Sequence, residues 1–174
     1  MKKLAIIFIA IFGMTFAFTS VNAQSTATSA SSATITEALT ISNTSALDFG
    51  NISATSTDGT VTIASATGSA TGSGGAGPVA GLATSAAAFE IEGPDGETIN
   101  VTVDNNTFDV THTNGTDVMG ITLTPADVTA AEAIISTTGA TVEFKFGGTI
   151  DVDGGQEPGV YSNATAFSVT VNYN

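Results

Sequence analysis

Apolar and polar residues alternate along most of this chain. Val142, Phe144, Phe146, Gly148, Ile150 and Val152 share one parity. Thr141, Glu143, Lys145, Gly147, Thr149, Asp151 and Asp153 take the other. Successive side chains of a strand point to opposite faces, so this pattern predicts one core face and one wet face. It reads as one strand, or as two strands bent at Gly147-Gly148. The C-terminus repeats it: Phe167, Val169, Val171 and Tyr173 alternate with Ser168, Thr170, Asn172 and Asn174. Shorter alternations occur at Ile35, Leu39 and Ile41, with Glu37 on the same parity. Others are Val61 with Ile63, Phe89 with Ile91, Ile99 with Val101 and Val103, Phe108 with Val110, and Met119 with Ile121 and Leu123. Turn signals separate them: Asp58-Gly59, Gly93-Pro94-Asp95-Gly96, Asp104-Asn105-Asn106, Asn114-Gly115 and Asp153-Gly154-Gly155. Many short strands at this spacing predict an all-β antiparallel sandwich or barrel. Its expected core includes Phe49, Phe89, Phe144, Phe146, Ile150, Phe167, Val169 and Val171.

Three stretches depart from the alternation. Thr124-Pro125-Ala126-Asp127 has the form of a helix N-cap with proline at the first helical position, and alanine-rich sequence follows to Ile135. In an all-β chain this predicts one helical turn in a connection. Residues 59–89 carry no charge, and from Ala66 to Ala88 the chain is almost entirely Gly, Ala, Ser and Thr. That composition reads as a flexible surface loop. Residues 24–32 are similar and read as a loose leader.

The first 23 residues change the picture of charge and compartment. Met1-Lys2-Lys3, an apolar run from Leu4, and Val21-Asn22-Ala23 form the positive, apolar and small-residue parts of a secretory signal. The expected organisation is a signal peptide over 1–23, a leader over 24–32 and a single sandwich domain over 33–174. Removal of the signal takes Lys2 and Lys3, so the formal net charge of −13 becomes −15 and Lys145 is the one basic side chain left beside 16 acids. Such a chain repels nucleic acid and anionic surfaces. No membrane insertion is expected after cleavage. With no cysteine in the chain, disulfides, thiolate metal sites and cysteine nucleophiles are excluded.

Candidate chemistry is sparse. Gly72-Ser73-Gly74-Gly75-Ala76-Gly77 matches a dinucleotide fingerprint, but Pro78 and Gly81 follow where a helix is required. Asp48-Phe49-Gly50 matches a kinase triplet without the other kinase elements and reads as a strand end. His112 is the single histidine, and no G-x-S-x-G elbow accompanies it. The carboxylate pairs Glu90/Glu92 and Asp151/Asp153 lie on wet strand faces, where acids are simply solvated. No enzymatic activity and no cofactor are expected. Calcium is the weak exception: Asp151 and Asp153 beside Gly154-Gly155, and Glu92 to Glu97 around a turn, offer hard oxygen ligands without a complete loop pattern. Asn-x-Ser/Thr triplets at Asn43, Asn51, Asn100, Asn105, Asn114 and Asn163 are what a threonine-rich sequence produces by chance.

Several runs together carry a family likeness. They are Leu47-Asp48-Phe49-Gly50-Asn51-Ile52, Ala87-Ala88-Phe89 with Gly93, Phe146-Gly147-Gly148-Thr149-Ile150, and Pro158-Gly159-Val160-Tyr161-Ser162 through Val169-Thr170-Val171-Asn172-Tyr173. The mature chain resembles the bacterial family called domain of unknown function 4402, small secreted β-proteins of Gram-negative bacteria. Its C-terminal pattern is also similar to spore coat protein U-like and fimbrial subunits. The resemblance implies an immunoglobulin-like β-sandwich at the cell surface, with no catalytic residues to carry over. Fimbrial-type subunits often carry a disulfide, which is impossible here. The expected function is a secreted structural subunit of a fibre, pilus-like or coat assembly. The alternative is a small non-catalytic module that binds a glycan or a protein. Self-assembly into a homopolymer would use an extended segment to fill a neighbour's sheet edge. Residues 24–42, with Ile35, Leu39 and Ile41 on one face, are the candidate donor; the plainer reading makes them the first strand of their own domain.

Overall fold

The structure, a computed structural model, describes residues 24–94, 96–125, 133–134 and 141–173. The signal segment 1–23 and most of the helical-turn segment therefore lie outside the described residues. Residues 24–38 are exposed and carry no strand. After them come β1 (Thr40–Ser45), β2 (Ile52–Ile63), β3 (Ala70–Pro78), β4 (Ala87–Glu92), β5 (Thr98–Val103) and β6 (Thr107–His112). The chain continues through β7 (Val118–Pro125), β8 (Ala133–Ile134), β9 (Val142–Val152), β10 (Tyr161–Ser162) and β11 (Val169–Tyr173). Every strand pair is antiparallel and no described residue is helical, so the protein is all-β as its alternation predicts.

The strands form two sheets. The larger runs β1-β4-β9-β7-β6-β10, with β2 joined to β9 and β3 beyond β2; the smaller runs β11-β5-β8. Ile91, Phe144 and Phe146 of the large sheet share one core cluster with Ile99 and Val101 of the small one. Apolar side chains of the two sheets therefore pack into one cluster, which is consistent with the expected sandwich.

The most regular alternation in the sequence becomes the central strand. Phe144, Phe146, Ile150 and Val152 of β9 are buried, while Glu143 and Asp151 are exposed. The bend anticipated at Gly147-Gly148 is a change of partner. On one side, β9 pairs with β4 through Ala87↔Phe146 and then with β2 through Ile63↔Gly148. On the other side it pairs with β7 from Pro125↔Phe146 to Ile121↔Ile150.

Three sequence expectations are corrected. The uncharged stretch read as a flexible loop contains β3, which pairs with β2 from Ile63↔Ala70 to Ile52↔Pro78. Its glycines serve close backbone approach. Gly74 has φ 66°, a left-handed conformation that favours glycine, and a Cβ on Gly75 would overlap the Thr57 carbonyl oxygen. There the register slips between Ala54 and Gly59, so Asp58-Gly59 lies at a bulge inside β2 and is not a turn between strands. Likewise, Thr124 and Pro125, expected at the start of a helical turn, are strand; residues 126–132, which carry most of that expected turn, lie outside the described residues. Thr124 and Pro125 extend β7, facing Gly147 and Phe146, because the ladder to β9 outweighs the local capping preference.

The core forms two clusters. One gathers Phe49, Val61, Ile63, Met119, Ile121, Ile150 and Val152; the other gathers Ala87, Ile91, Ile99, Val101, Phe144 and Phe146. Phe49, Phe144, Phe146 and Ile150 are buried as expected, whereas Phe89, Phe167, Val169 and Val171 are half-buried against the second cluster. Phe167 joins the two clusters. Its ring centroid lies 5.7 Å from Phe108, 6.0 Å from Phe89 and 6.1 Å from Phe146.

Burial ranks two of these rings. Phe146→Ala is expected to cost about 3–5 kcal/mol, the usual cost of emptying a phenylalanine site in a core. Phe167→Ala, at a half-buried site, is expected to cost less. Urea unfolding of the two variants checks the order. Lys145 sits mid-β9 opposite Ala88, held in a ladder that a protease cleft cannot accept. Protein lacking residues 1–23 is therefore expected to resist trypsin until urea unfolds it, as followed by gel and mass spectrometry.

Candidate functional site

The assembly-strand residues separate in the structure. Regular strand begins only at Thr40, where β1 pairs with β4 from Thr40↔Glu92 to Ser45↔Ala88 and forms an edge of the large sheet. Ile41 lies in β1, Leu39 lies just before it, and both pack on the second core cluster. Ile35 is 97% exposed. Glu37 is exposed too, so its carboxylate is not buried on the apolar face. Its backbone carbonyl accepts a hydrogen bond from the Tyr173 hydroxyl, which clasps the lead-in to β1 onto the C-terminal strand. Partial burial, then the neighbouring Glu97 and Glu37 carboxylates, push that hydroxyl above the usual tyrosine range.

Of the calcium candidates, Asp151 on the wet face of β9 and Asp153 just past its end line an open concavity of ≈ 490 Å³, with Asp58 from the bulge in β2; Glu92 and Glu97 do not line it. Asp58 already has a structural partner: its Oδ1 accepts a 2.7 Å hydrogen bond from the Gly154 N–H and so fixes the turn after β9. Among the described residues, no three acid or histidine side chains come together as a metal ion requires. The other acid pair, Glu90 and Glu92, faces β1 and β9. The Thr40 hydroxyl donates to the Glu92 carboxylate at 3.4 Å, and Glu90 lies opposite Glu143. Lys145 Nζ sits 2.9 Å from Glu143.

A second concavity, ≈ 430 Å³, lies where the end of β1, the β2–β3 turn and residues 84–88 meet. Hydroxyls of Thr44, Ser45, Ser65, Thr67, Thr84 and Ser85 line it, with Glu143 and Lys145 at its side. No aromatic side chain lines either concavity.

His112 ends β6. Its Nδ1 accepts the Asn114 N–H at 3.0 Å, which places the ring proton of the neutral form on Nε2. Nε2 is buried without a hydrogen-bond partner under Gly159, and the ring lies on Tyr161 at a centroid distance of 4.8 Å. Neither ring nitrogen is paired with a serine hydroxyl, so a nucleophile–base couple is not formed around it. Tyr161 is occupied as well: its hydroxyl donates to the Glu157 carbonyl at 2.7 Å and accepts from the Gln156 amide at 2.9 Å. This cluster pins the short edge strand β10 to β6. Sequence reading left it unassigned because its members come from three separate segments.

The clasp has a testable pH signature. A tyrosine pushed above its ordinary value keeps its proton more tightly when folded. Its contribution is therefore present below the unfolded value of 10.0 and is lost as pH rises through the higher folded value. The urea midpoint is expected to fall in alkali more steeply for the wild type than for Tyr173→Phe. Parallel titration of the two proteins from pH 8 to 11 checks the difference.

Among the described residues there is no helix long and apolar enough to cross a membrane. No curated protein and no solved structure matches the chain. The expected likeness to spore coat protein U-like and fimbrial subunits gains no support from these comparisons. A family model does match, over residues 39–173, from the lead-in of β1 to the end of β11. With most of its length and every described strand inside that match, the chain belongs to the family described as domain of unknown function (DUF4402).

Proposed function

We propose that this protein is exported and serves as a non-catalytic structural subunit at the cell surface, in a fibre, pilus-like or coat assembly. The observation that carries this reading is the exposed segment 24–38. It holds no strand of its own, presents Ile35 at 97% exposure, and leads directly into an edge strand. Such a segment suits addition to an open sheet edge of a neighbouring copy. The donating part is then 24–36, since Glu37 is clasped to Tyr173 and Leu39 and Ile41 are engaged in the protein's own core.

The state of the tyrosines favours a subunit over a glycan-binding module. Sugar recognition by stacking needs a free flat ring. The chain has no tryptophan, Tyr161 is packed on His112, and the Tyr173 hydroxyl is engaged with Glu37.

Electron microscopy of the producing cells, with an antibody to the folded domain, tests location and assembly together. Label on surface structures with a one-domain repeat is the expected result, and Ile35→Asp is expected to keep the fold while shortening or abolishing them. Label confined to the cytoplasm, or wild-type protein that stays dispersed on the surface, overturns the reading.

A further inference from the structure

All 16 acids lie outside residues 59–89. That uncharged stretch contains β3, which pairs with β2 alone and so leaves one backbone edge open. Carboxylates border the β1 and β11 edges. Glu92 takes a hydrogen bond from Thr40 of β1, and Glu97 and Glu37 act on Tyr173 at the end of β11. Asp104 takes one from Ser168 just before β11. The uncharged stretch also exposes apolar side chains just past β3, with Val79 41% and Leu82 49% accessible.

We propose that the open edge of β3 is the docking surface for a second copy of this chain, joined edge to edge as an antiparallel pair about a two-fold axis. Charge selects the partner. A cationic protein would be drawn to the acidic remainder of the surface and would gain nothing at this edge. A second copy repels the first wherever acids face acids, and β3, inside the uncharged stretch, is an edge where two copies meet without like charges opposed. The ladder with β2 is interrupted at Gly75, which faces the bulge in β2. The part in continuous register includes Ala70 to Ser73, whose exposed Thr71 and Ser73 leave room for a partner strand. In an isologous pair the axis passes through a residue opposed to its own copy: Thr71 faces Thr71 of the second copy, and Ala70 faces its Gly72. Such a contact closes on itself, giving a dimer and not a filament. It requires neither export nor the leader. So short an edge gives a weak dimer, opposed by the net charge of each copy and strengthened when salt screens that charge.

Two measurements test this. Sedimentation equilibrium of the purified protein should show dimerisation that tightens as sodium chloride rises from low to near-molar concentration. Thr71→Asp, at an exposed site, should weaken it by about tenfold or more, because the axis sets the new charges against each other. Because the chain has no cysteine, single-cysteine variants report the pairing directly. Under mild oxidation Thr71→Cys should form disulfide-linked dimers, while Ser42→Cys on β1 and Thr170→Cys on β11 should remain monomeric. A monomer at every salt concentration, or preferential linking through Ser42→Cys or Thr170→Cys, overturns the proposal. So does Thr71→Cys linking to Ser29→Cys in a mixture but not to itself, which would put the leader on this edge. Loss of surface structures in the cell experiment, with the dimer intact, would overturn the assembly reading alone.

Discussion

At Gly147 the backbone of β9 runs so close to the Ile63 carbonyl and to Ser65 that any Cβ there would overlap the Ile63 oxygen. This approach lets one strand serve two neighbours on the same side. Before Gly147, β9 belongs to the ladder with β4; after it, to the ladder with β2, while β7 spans the handover on the opposite side. The core divides at the same place. Phe144 and Phe146 fall in the cluster shared with the small sheet, and Ile150 and Val152 fall in the other. A glycine inside a strand costs roughly 0.5–1 kcal/mol in backbone entropy. Each large apolar side chain buried on either side returns roughly 1.5–3 kcal/mol, so the balance strongly favours the crossing.

The legible parts of the fold were those written in side-chain alternation. β9 and the apolar positions of β4 to β7 appear in the sequence because one face of each is buried and the other is wet. β3 was illegible for a physical reason. Gly72, Gly74, Gly75 and Gly77 carry no side chain to alternate, and the property they encode is close approach to β2, which composition cannot distinguish from a loop. Ile35 misled in the opposite way: its parity fits a strand, yet pairing starts five residues later. The Tyr173–Glu37 clasp and the His112–Tyr161 cluster were beyond reach, since each depends on segments brought together by long-range pairing.

Charge is the second organising constraint. With one ion pair between Lys145 and Glu143 among the described residues, the carboxylates are held apart mainly by placement. Glu90 and Glu143 do face each other across β4 and β9, a pairing that like charges disfavour, and Lys145 offsets it from two residues along. Further along β9 the wet-face partners are hydroxyls. Thr62 and Thr149 share a 2.9 Å hydrogen bond, and Asp151 lies opposite Thr60. Threonine favours strands and holds a cross-strand contact without adding charge. That explains how so acidic a sequence keeps a closely paired sheet with so little compensating base.

The two ends of the described fold meet at the same point, and this decides what the N-terminal segment can offer. Leu39 and Ile41 fill the protein's own second cluster, β1 completes the large sheet, and Tyr173 fastens the Glu37 carbonyl to the last strand. Donating residues 39–42 to a neighbour would mean lifting β1 from β4. That would expose two apolar side chains, at roughly 1.5–3 kcal/mol for each if fully uncovered, and break the clasp as well. Donating residues 24–36 would cost none of this, because those residues are already exposed, form no ladder and precede the clasped Glu37 carbonyl. A neighbour's edge would then have one large apolar side chain to accept, Ile35, so specificity would rest on the place it provides for that residue.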